Sequence, residues 1–323
     1  MGPPPARTWK VMMAQTLEAL SRRMTSMQDI RSIVHTMKTL SAINSAPYEH
    51  AASAIAAYHE TVLLGLHAFL SQVGPLDVGR PVNGTKFFIV FGSDHGLCGN
   101  YNEALAAHLT QHMAGGSEGS AILCVGAQMT DALSDLGVTP KTTVFPPASV
   151  DGIGRLANQL TQQLAEIQNS LGSGDMAVSL AYVTRDGPVG QRPVVTDLLP
   201  LDPGLVRNLQ KKPWSSRSLP SFSMPPSDVF QALVRGHLFA SIFHAAAEAL
   251  VTENAARLAQ MQQAEKSVDD RLESLGSEMR SVRQSEITTE LLDVIIGFEA
   301  LKKKHHNTAR QPKDAHSGEP GQT

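Results

Sequence analysis

The residue types and spacing with most chemical potential lie in one short stretch, Gly92-Ser93-Asp94-His95-Gly96-Leu97-Cys98-Gly99-Asn100. It follows the apolar run Phe87-Phe88-Ile89-Val90-Phe91 and precedes a helix-forming segment. In α/β proteins that is where backbone N–H groups cradle a phosphate. The glycines, however, do not keep G-x-G-x-x-G spacing, and the chain contains no Gly-Lys pair, so neither a dinucleotide fingerprint nor a P-loop is present. The turn is read first as a tight strand-to-helix connection that forms a contact surface. Gly115-Gly116-Ser117-Glu118-Gly119 matches G-x-S-x-G in form, but it follows a helical pattern and precedes a strand pattern, the reverse of a nucleophile elbow. Twelve histidines occur without an H-E-x-x-H or a paired spacing, and Cys98 and Cys124 lack metal-ligand spacing and read as reduced thiols. The expectation is no catalytic residue, no cofactor and no metal in this chain.

The elements around that turn alternate. Residues 87–91, 121–125, 142–145, 176–184 and 194–199 have strand character, while 103–113, 128–136 and 153–170 have helical character. Alternation of this kind predicts a Rossmann-like α/β layer with a mostly parallel sheet over 74–201. Its flanks are different. From Ser227 to Leu301 the chain runs 75 residues without a proline, and at ~1.5 Å per residue such a helix would be roughly 110 Å long. Pro225-Pro226 precede it, Ser227 is the expected N-cap, and Asp228 suits the positive helix end. Val268, Leu272, Leu275, Met279 and Val282 alternate by four and three, the heptad rhythm of a coiled coil, anticipated upstream by Leu258 and Met261.

The partner seam is expected near the other end. Ala14 to Ala46 holds neither Gly nor Pro, and Leu17, Leu20, Met24, Met27, Ile30, Ile33, Met37 and Leu40 repeat every three or four residues. Its charge, about +2, opposes the −6 of 6 Lys/Arg against 12 Asp/Glu in 227–301. The fold class expected is α+α/β, a long antiparallel coiled coil of N- and C-terminal helices with the α/β domain inserted between them. The segments are a disordered leader at 1–13, a helix at 14–73, the α/β domain at 74–201, a proline-rich linker at 202–226, a helix at 227–301 and a disordered tail at 302–323.

At 323 residues, 42% hydrophobic and 18% charged, the composition is that of a soluble globular protein. A net charge of −3 argues against general nucleic-acid affinity, and no run of 18 apolar residues suggests direct membrane insertion. On the residues alone, a coiled-coil adaptor with an α/β recognition domain, or an α/β enzyme binding a phosphate compound at Asp94 to Asn100, remain alternatives.

Three blocks together resemble one family, the gamma subunit or central rotor shaft of F-type ATP synthases. The turn is similar to its Ser-Asp-Arg-Gly-Leu-Cys-Gly-Gly signature at Ser93, Asp94, Gly96, Leu97, Cys98 and Gly99, with His95 and Asn100 replacing Arg and Gly. Ala255-Ala256-Arg257-Leu258 and Arg283-Gln284-Ser285-Glu286-Ile287-Thr288-Thr289-Glu290-Leu291 resemble its Ala-Ala-Arg-Met and Arg-Gln-x-x-Ile-Thr-x-Glu-Leu patterns. Ile33 to Ala42 resembles a weakened form of its N-terminal helix motif. The resemblance implies a non-catalytic rotor whose partners are the alpha and beta subunits of the catalytic ring, the epsilon subunit and the c-subunit ring. It assigns contacts with the ring to Met37, Arg257, Arg283, Gln284, Thr288 and Glu290. The long tail and the altered signature suggest a divergent or alternative bacterial form, coupled to protons or sodium, on the cytoplasmic face of the inner membrane.

Overall fold

The computed structural model describes residues 6–74, 85–113, 120–171, 176–187, 190–214, 216–218 and 221–308. Helix α1 spans Ala6–Val73, and the last helix, α6, spans Pro226–Thr308. Between them lie β1 (Lys86–Phe91), α2 (Tyr101–Met113), β2 (Ala121–Val125), α3 (Ala127–Asp135), β3 (Thr142–Val144), α4 (Asp151–Leu171), β4 (Ala177–Asp186), β5 (Gly190–Leu199) and α5 (Pro203–Lys211). The five strands form one sheet in the order β3-β2-β1-β4-β5, parallel except for the β4–β5 hairpin.

Two compact units result, one from residues up to Ile33 together with Glu265 onward, the other from Val34 to Ala264. The larger is built around β1. Its Phe87, Ile89 and Phe91 point to one face and Phe88 and Val90 to the other, as the two-residue period of a strand requires. The first face is covered by Ile153, Leu156 and Leu160 of α4 and by an alanine-rich stretch of α6, Ala245 to Ala249, joined by Tyr48 and Ala52 of α1. The second is covered by Leu105 and Leu109 of α2 and Met129 and Leu133 of α3. Both faces of the central strand are dry, which is why it reads as an unbroken apolar run. A separate cluster joins Leu66, Phe69 and Leu70 of α1 to Val206 of α5 and to Val229, Phe230 and Leu233 of α6.

In this unit α1 and α6 run antiparallel, since Tyr58 meets Phe239, His59 meets His237, and Gly65 meets Leu233. In the smaller unit the same two helices pair through buried Leu20, Val268 and Leu275, with Arg31 Nε 2.6 Å from Asp269 Oδ1. Fold class and element order therefore match the sequence expectation.

Several boundaries differ. The segment read as a leader is helical from Ala6, because nothing between Ala6 and Ala14 breaks a helix; residues 1–5 lie outside the described residues. The linker at 202–226 contains α5, which Pro203 opens at the first helical position; the Asp202 carboxylate caps it by accepting from Gly204 N at 2.8 Å and Leu205 N at 3.2 Å. α6 starts at Pro226, so Ser227 lies inside the helix and is not its cap; its hydroxyl turns to Asp228 instead. The helix also passes Leu301 and continues to Thr308, so the first part of the supposed tail is helical, and 309–323 lie outside the described residues.

The most informative correction concerns the α1 seam. Leu20 and Val34 are buried and Met24 and Met27 half-buried as a strict heptad demands, but Ile30, Ile33 and Leu40 are exposed, Ile33 by 59%. The buried line runs through Ser41, Tyr48, Ala52 and Ile55 instead. A chain of apolar residues at steps of three or four drifts around a helix unless the steps alternate, and the steps from Met24 to Ile33 are three, three and three.

Candidate functional site

At β1 the strand order reverses, with β2 on one side and β4 on the other. The crevice beyond the carboxyl ends of such strands is where open α/β sheets take their ligands. The turn at 92–100 sits there, directly after Phe91. In this chain α6 occupies the crevice. Ala246, Ala249, Leu250 and Glu253 close against Phe91, Gly92 and Val125, leaving a cavity of about 10 Å³. That is scarcely room for one water.

The turn is held from three sides. Ser93 N donates to Asn102 Oδ1 at 2.9 Å, and Asn102 Nδ2 donates back to Ser93 Oγ at 2.7 Å. Asp94 Oδ1 accepts from Ala127 N at 3.2 Å. It thereby serves a helix start whose own cap residue, Gly126, has no side chain to offer. Gly126 has φ +107°, and a Cβ there would lie 2.5 Å from the Ser93 carbonyl oxygen, so two loops touch backbone to backbone. Leu97 is the only described non-glycine residue with positive φ, +67°, and its side chain is 54% exposed at the tip of the turn. Cys98 is buried beside the Ser93 hydroxyl, and burial pushes its thiol pKa up, away from the thiolate that reactivity needs.

The third side is Arg257. Its Nη2 donates to His95 O at 3.1 Å and to Glu253 Oε1 at 2.6 Å, while Nε reaches Gly96 O at 3.4 Å. Both partners are nearly sealed, with Glu253 7% and Arg257 9% exposed. Burial raises the Glu253 pKa, and the charge and hydrogen bond of Arg257 offset only part of that rise. The Arg257 guanidinium is committed to Glu253 and to the carbonyls of the turn, so it is not a solvated helix charge.

Around Arg257 the same three turns of α6 carry further ties to the α/β domain. Tyr101 Oη donates to Ala249 O at 2.9 Å, the Thr252 hydroxyl lies 3.0 Å from Val183 O, and Gln191 Nε2 donates to Thr252 O at 2.9 Å. Arg185 of β4 closes on the buried Glu248 carboxylate at 2.5 Å. Among the described residues no group of three His, Cys, Asp or Glu side chains converges as a metal site would. This is a mechanical joint between sheet and helix. Asn102, Glu253, Tyr101 and Thr252 were not singled out by type or spacing; only the i, i+4 relation of Glu253 and Arg257 was available as a signal.

The remaining expected residues fall into two places. Met37 is half-buried on α1 in the larger unit. Arg283, Gln284, Thr288 and Glu290 are exposed on α6 in the smaller one, with Thr288 Oγ1 donating to Gln284 O at 2.9 Å. They follow the half-buried line of Val282, Glu286 and Thr289, and beside them Ile287, Leu291, Val294, Ile295 and Phe298 are exposed, Phe298 by 72%.

Residues 16–301 match the family model described as ATP synthase. The chain belongs to the ATP synthase family. Within that family its relatives are gamma chains. It is 23% identical over 285 residues to the ATP synthase gamma chain of Clostridium acetobutylicum, covering 88% of this chain and 97% of that one. It is 22% identical over 288 residues to the gamma chain of Clostridium botulinum strain Hall, with 88% and 98% covered. A chain of the Euglena gracilis mitochondrial ATP synthase, solved with OSCP, F1 and c-ring, superposes with a TM-score of 0.58 at 15% identity, over 94% of this chain and all of that one. A rotor chain of the same organism gives 0.55 at 14% identity, covering 85% of this chain and 99% of that one. The fold of this ATP synthase family member is thus that of the known rotor chains.

Proposed function

We propose that this chain is the non-catalytic central-stalk rotor of a bacterial F-type ATP synthase or ATPase. The observation that carries the reading is a contrast between two surfaces. The α/β domain's ligand crevice is filled by the chain's own helix, so it offers no place for substrate. The outward face of α6 from Arg283 onward is exposed, apolar and interrupted by a few polar groups, a surface that calls for a partner. In the rotor reading that face lies within the ring of alpha and beta subunits, where Arg283, Gln284, Thr288 and Glu290 present different contacts to each beta subunit as the shaft turns. Rotation then shifts the open and closed populations of each subunit by differential contact energy, and ATP chemistry stays in the ring.

The α/β domain would meet the epsilon subunit and the c-subunit ring, receive torque from ion flow, and pass it to α6 through the joint at 248–257. No described helix is long and apolar enough to cross a membrane. In the rotor reading the chain acts as a peripheral subunit on the cytoplasmic face of the inner membrane. A coiled-coil adaptor is less well supported, because the seam is satisfied within one chain.

The test is ATP hydrolysis by the reconstituted alpha-beta-gamma assembly, comparing the intact chain with Arg283→Ala, Gln284→Ala. Lower turnover in an assembly that still forms is the expected result. Failure of the intact chain to assemble with the ring overturns the reading.

A further inference from the structure

In the larger unit α1 and α6 approach closely where Gly236 faces Val62, whose methyl groups would lie 3.4 and 3.6 Å from an added Cβ. Beside that contact the rings of His59 and His237 stand 4.9 Å apart between centroids, and His59 Nε2 is 2.8 Å from His237 Nδ1. One nitrogen donates and the other accepts. His237 is buried, and His59 is half-buried. His244 lies two turns along α6 from His237 with its Nδ1 buried and without a hydrogen-bond partner. All three rings line one cavity of about 460 Å³ between the helices and the β4–β5 hairpin.

The other ionisable groups facing the cavity come from each surrounding element: Glu60 of α1, Tyr182 of β4, Asp197 of β5 and Asp202 at the start of α5. Tyr58 of α1 is also near, its hydroxyl 3.7 Å from a Cβ built on Gly236. Among the described residues the pair thus has carboxylates within the same cavity but no cation other than imidazole lining it.

We propose that the His59–His237 pair is a proton-operated latch between α1 and α6. With both rings neutral, a single N–H bridges the two nitrogens. A first added proton can sit on an outer nitrogen and leave that bridge in place. A second must go to the accepting nitrogen, and two N–H groups then face each other across 2.8 Å, so the bond breaks. The cavity gives the charged rings room to turn toward Glu60, Asp197 and Asp202. The latch therefore holds at neutral pH and releases in strong acid, loosening the helix pair beside the sheet. His237 behaves accordingly, with its pKa held down to about 4, first by burial and then by the charge of His59; the pKa of His59 is also lowered, by burial and then by His244.

The latch is independent of the rotor assignment, because it is read on the full chain without partners. A local opening that returns His237 to an ordinary pKa of about 6.5 is favoured roughly fifty-fold on going from pH 7 to pH 4.5. Amide hydrogen exchange, corrected for its intrinsic pH dependence, should accelerate by about that factor in residues 54–62 and 234–241. Exchange in β1 and β2 should not follow. His59→Gln, His237→Gln, which keeps hydrogen-bonding groups that do not titrate, should flatten the profile; if the double variant fails to fold, His59→Gln alone serves. Ring nitrogen NMR of the intact chain is the second readout, with one nitrogen resisting protonation to about pH 4. The proposal is overturned if both rings titrate independently near 6.5, if wild type and variant share one exchange profile, or if acceleration spreads evenly over the unit.

Discussion

Replacing Arg257 by methionine keeps a long apolar stem in place while removing the charge that Glu253 is built against. The carbonyls of His95 and Gly96 would lose a donor, but both residues are exposed and their oxygens can turn to water. The Glu253 carboxylate has no such escape, being 7% exposed and bonded to Arg257 at 2.6 Å. Its cheapest response is to take up a proton. With an ordinary glutamate pKa of about 4.3 and ~1.36 kcal/mol per pH unit, neutralising it costs ~4 kcal/mol at pH 7 and ~1 kcal/mol at pH 5. The first figure falls within the ~3–5 kcal/mol typical of breaking a buried pair by removing one partner.

The sign follows from linkage. In Arg257→Met the folded-state pKa of Glu253 stands above its unfolded value, so the folded variant binds the extra proton and gains stability relative to wild type as pH falls. Urea unfolding of the full chain at pH 7 and pH 5 should therefore show a penalty that shrinks as pH falls, by at most ~3 kcal/mol because burial already raises the Glu253 pKa in the wild type. Contributions common to both proteins, such as His237, cancel in the difference. Adding Glu253→Gln should remove most of the pH 7 penalty, together with the gain in stability that Arg257→Met draws from protonating Glu253. A cost equal at the two pH values, or below ~1 kcal/mol at pH 7, would refute a buried charge pair as the centre of the joint.

Other substitutions probe the same architecture. Gly126→Ala places a methyl group 2.5 Å from a backbone oxygen at φ +107°, and should cost at least ~2 kcal/mol in thermal or urea unfolding, whereas Gly137→Ala, with positive φ but open space, should cost only ~1. Tyr101→Phe removes the hydroxyl that ties α2 to Ala249 and should cost ~1–2 kcal/mol by the same assay. The phase of the seam is tested by a pair. Leu275→Ala, at a site 2% exposed, should cost ~2–4 kcal/mol, and Leu40→Ala, at an exposed site, less than ~0.5. Equal effects in that pair would place the seam on the apolar stripe rather than on the buried line.

What the sequence disclosed depended on whether a feature is periodic or relational. The strands of the sheet were legible because β1 is buried on both faces and so is apolar at every position, and the α6 seam was legible because its steps alternate by four and three. The α1 seam was misplaced after Met27 because Ile30, Ile33 and Leu40 look like seam residues by composition. Position around the helix axis puts Val34, Ser41 and Tyr48 inside instead. Ser41 is a hydroxyl on the buried line, which a search for apolar residues passes over. The end of α6 was drawn at Leu301 because apolar periodicity stops there, although lysine and histidine are acceptable helix formers and suit the negative end of a helix.

The turn shows the other limit. Its place after β1 is that of a ligand loop, at the switch point of the sheet, although its glycine spacing fits no nucleotide fingerprint. What decides against a ligand is a segment more than 150 positions away, where Ala246, Ala249, Leu250 and Glu253 fill the crevice and Arg257 takes the turn's carbonyls. Small residues at 245–249 are what allow α6 to lie so close to the sheet. The loop at the switch point serves here as a socket for a helix, and the residues that fill the crevice also bind the sheet to α6. In the rotor reading proposed above, torque entering the α/β domain would reach α6 through these buried hydrogen bonds and ion pairs. The exposed Leu97, held at positive φ on the tip of that socket, faces outward together with His95 and Gly96.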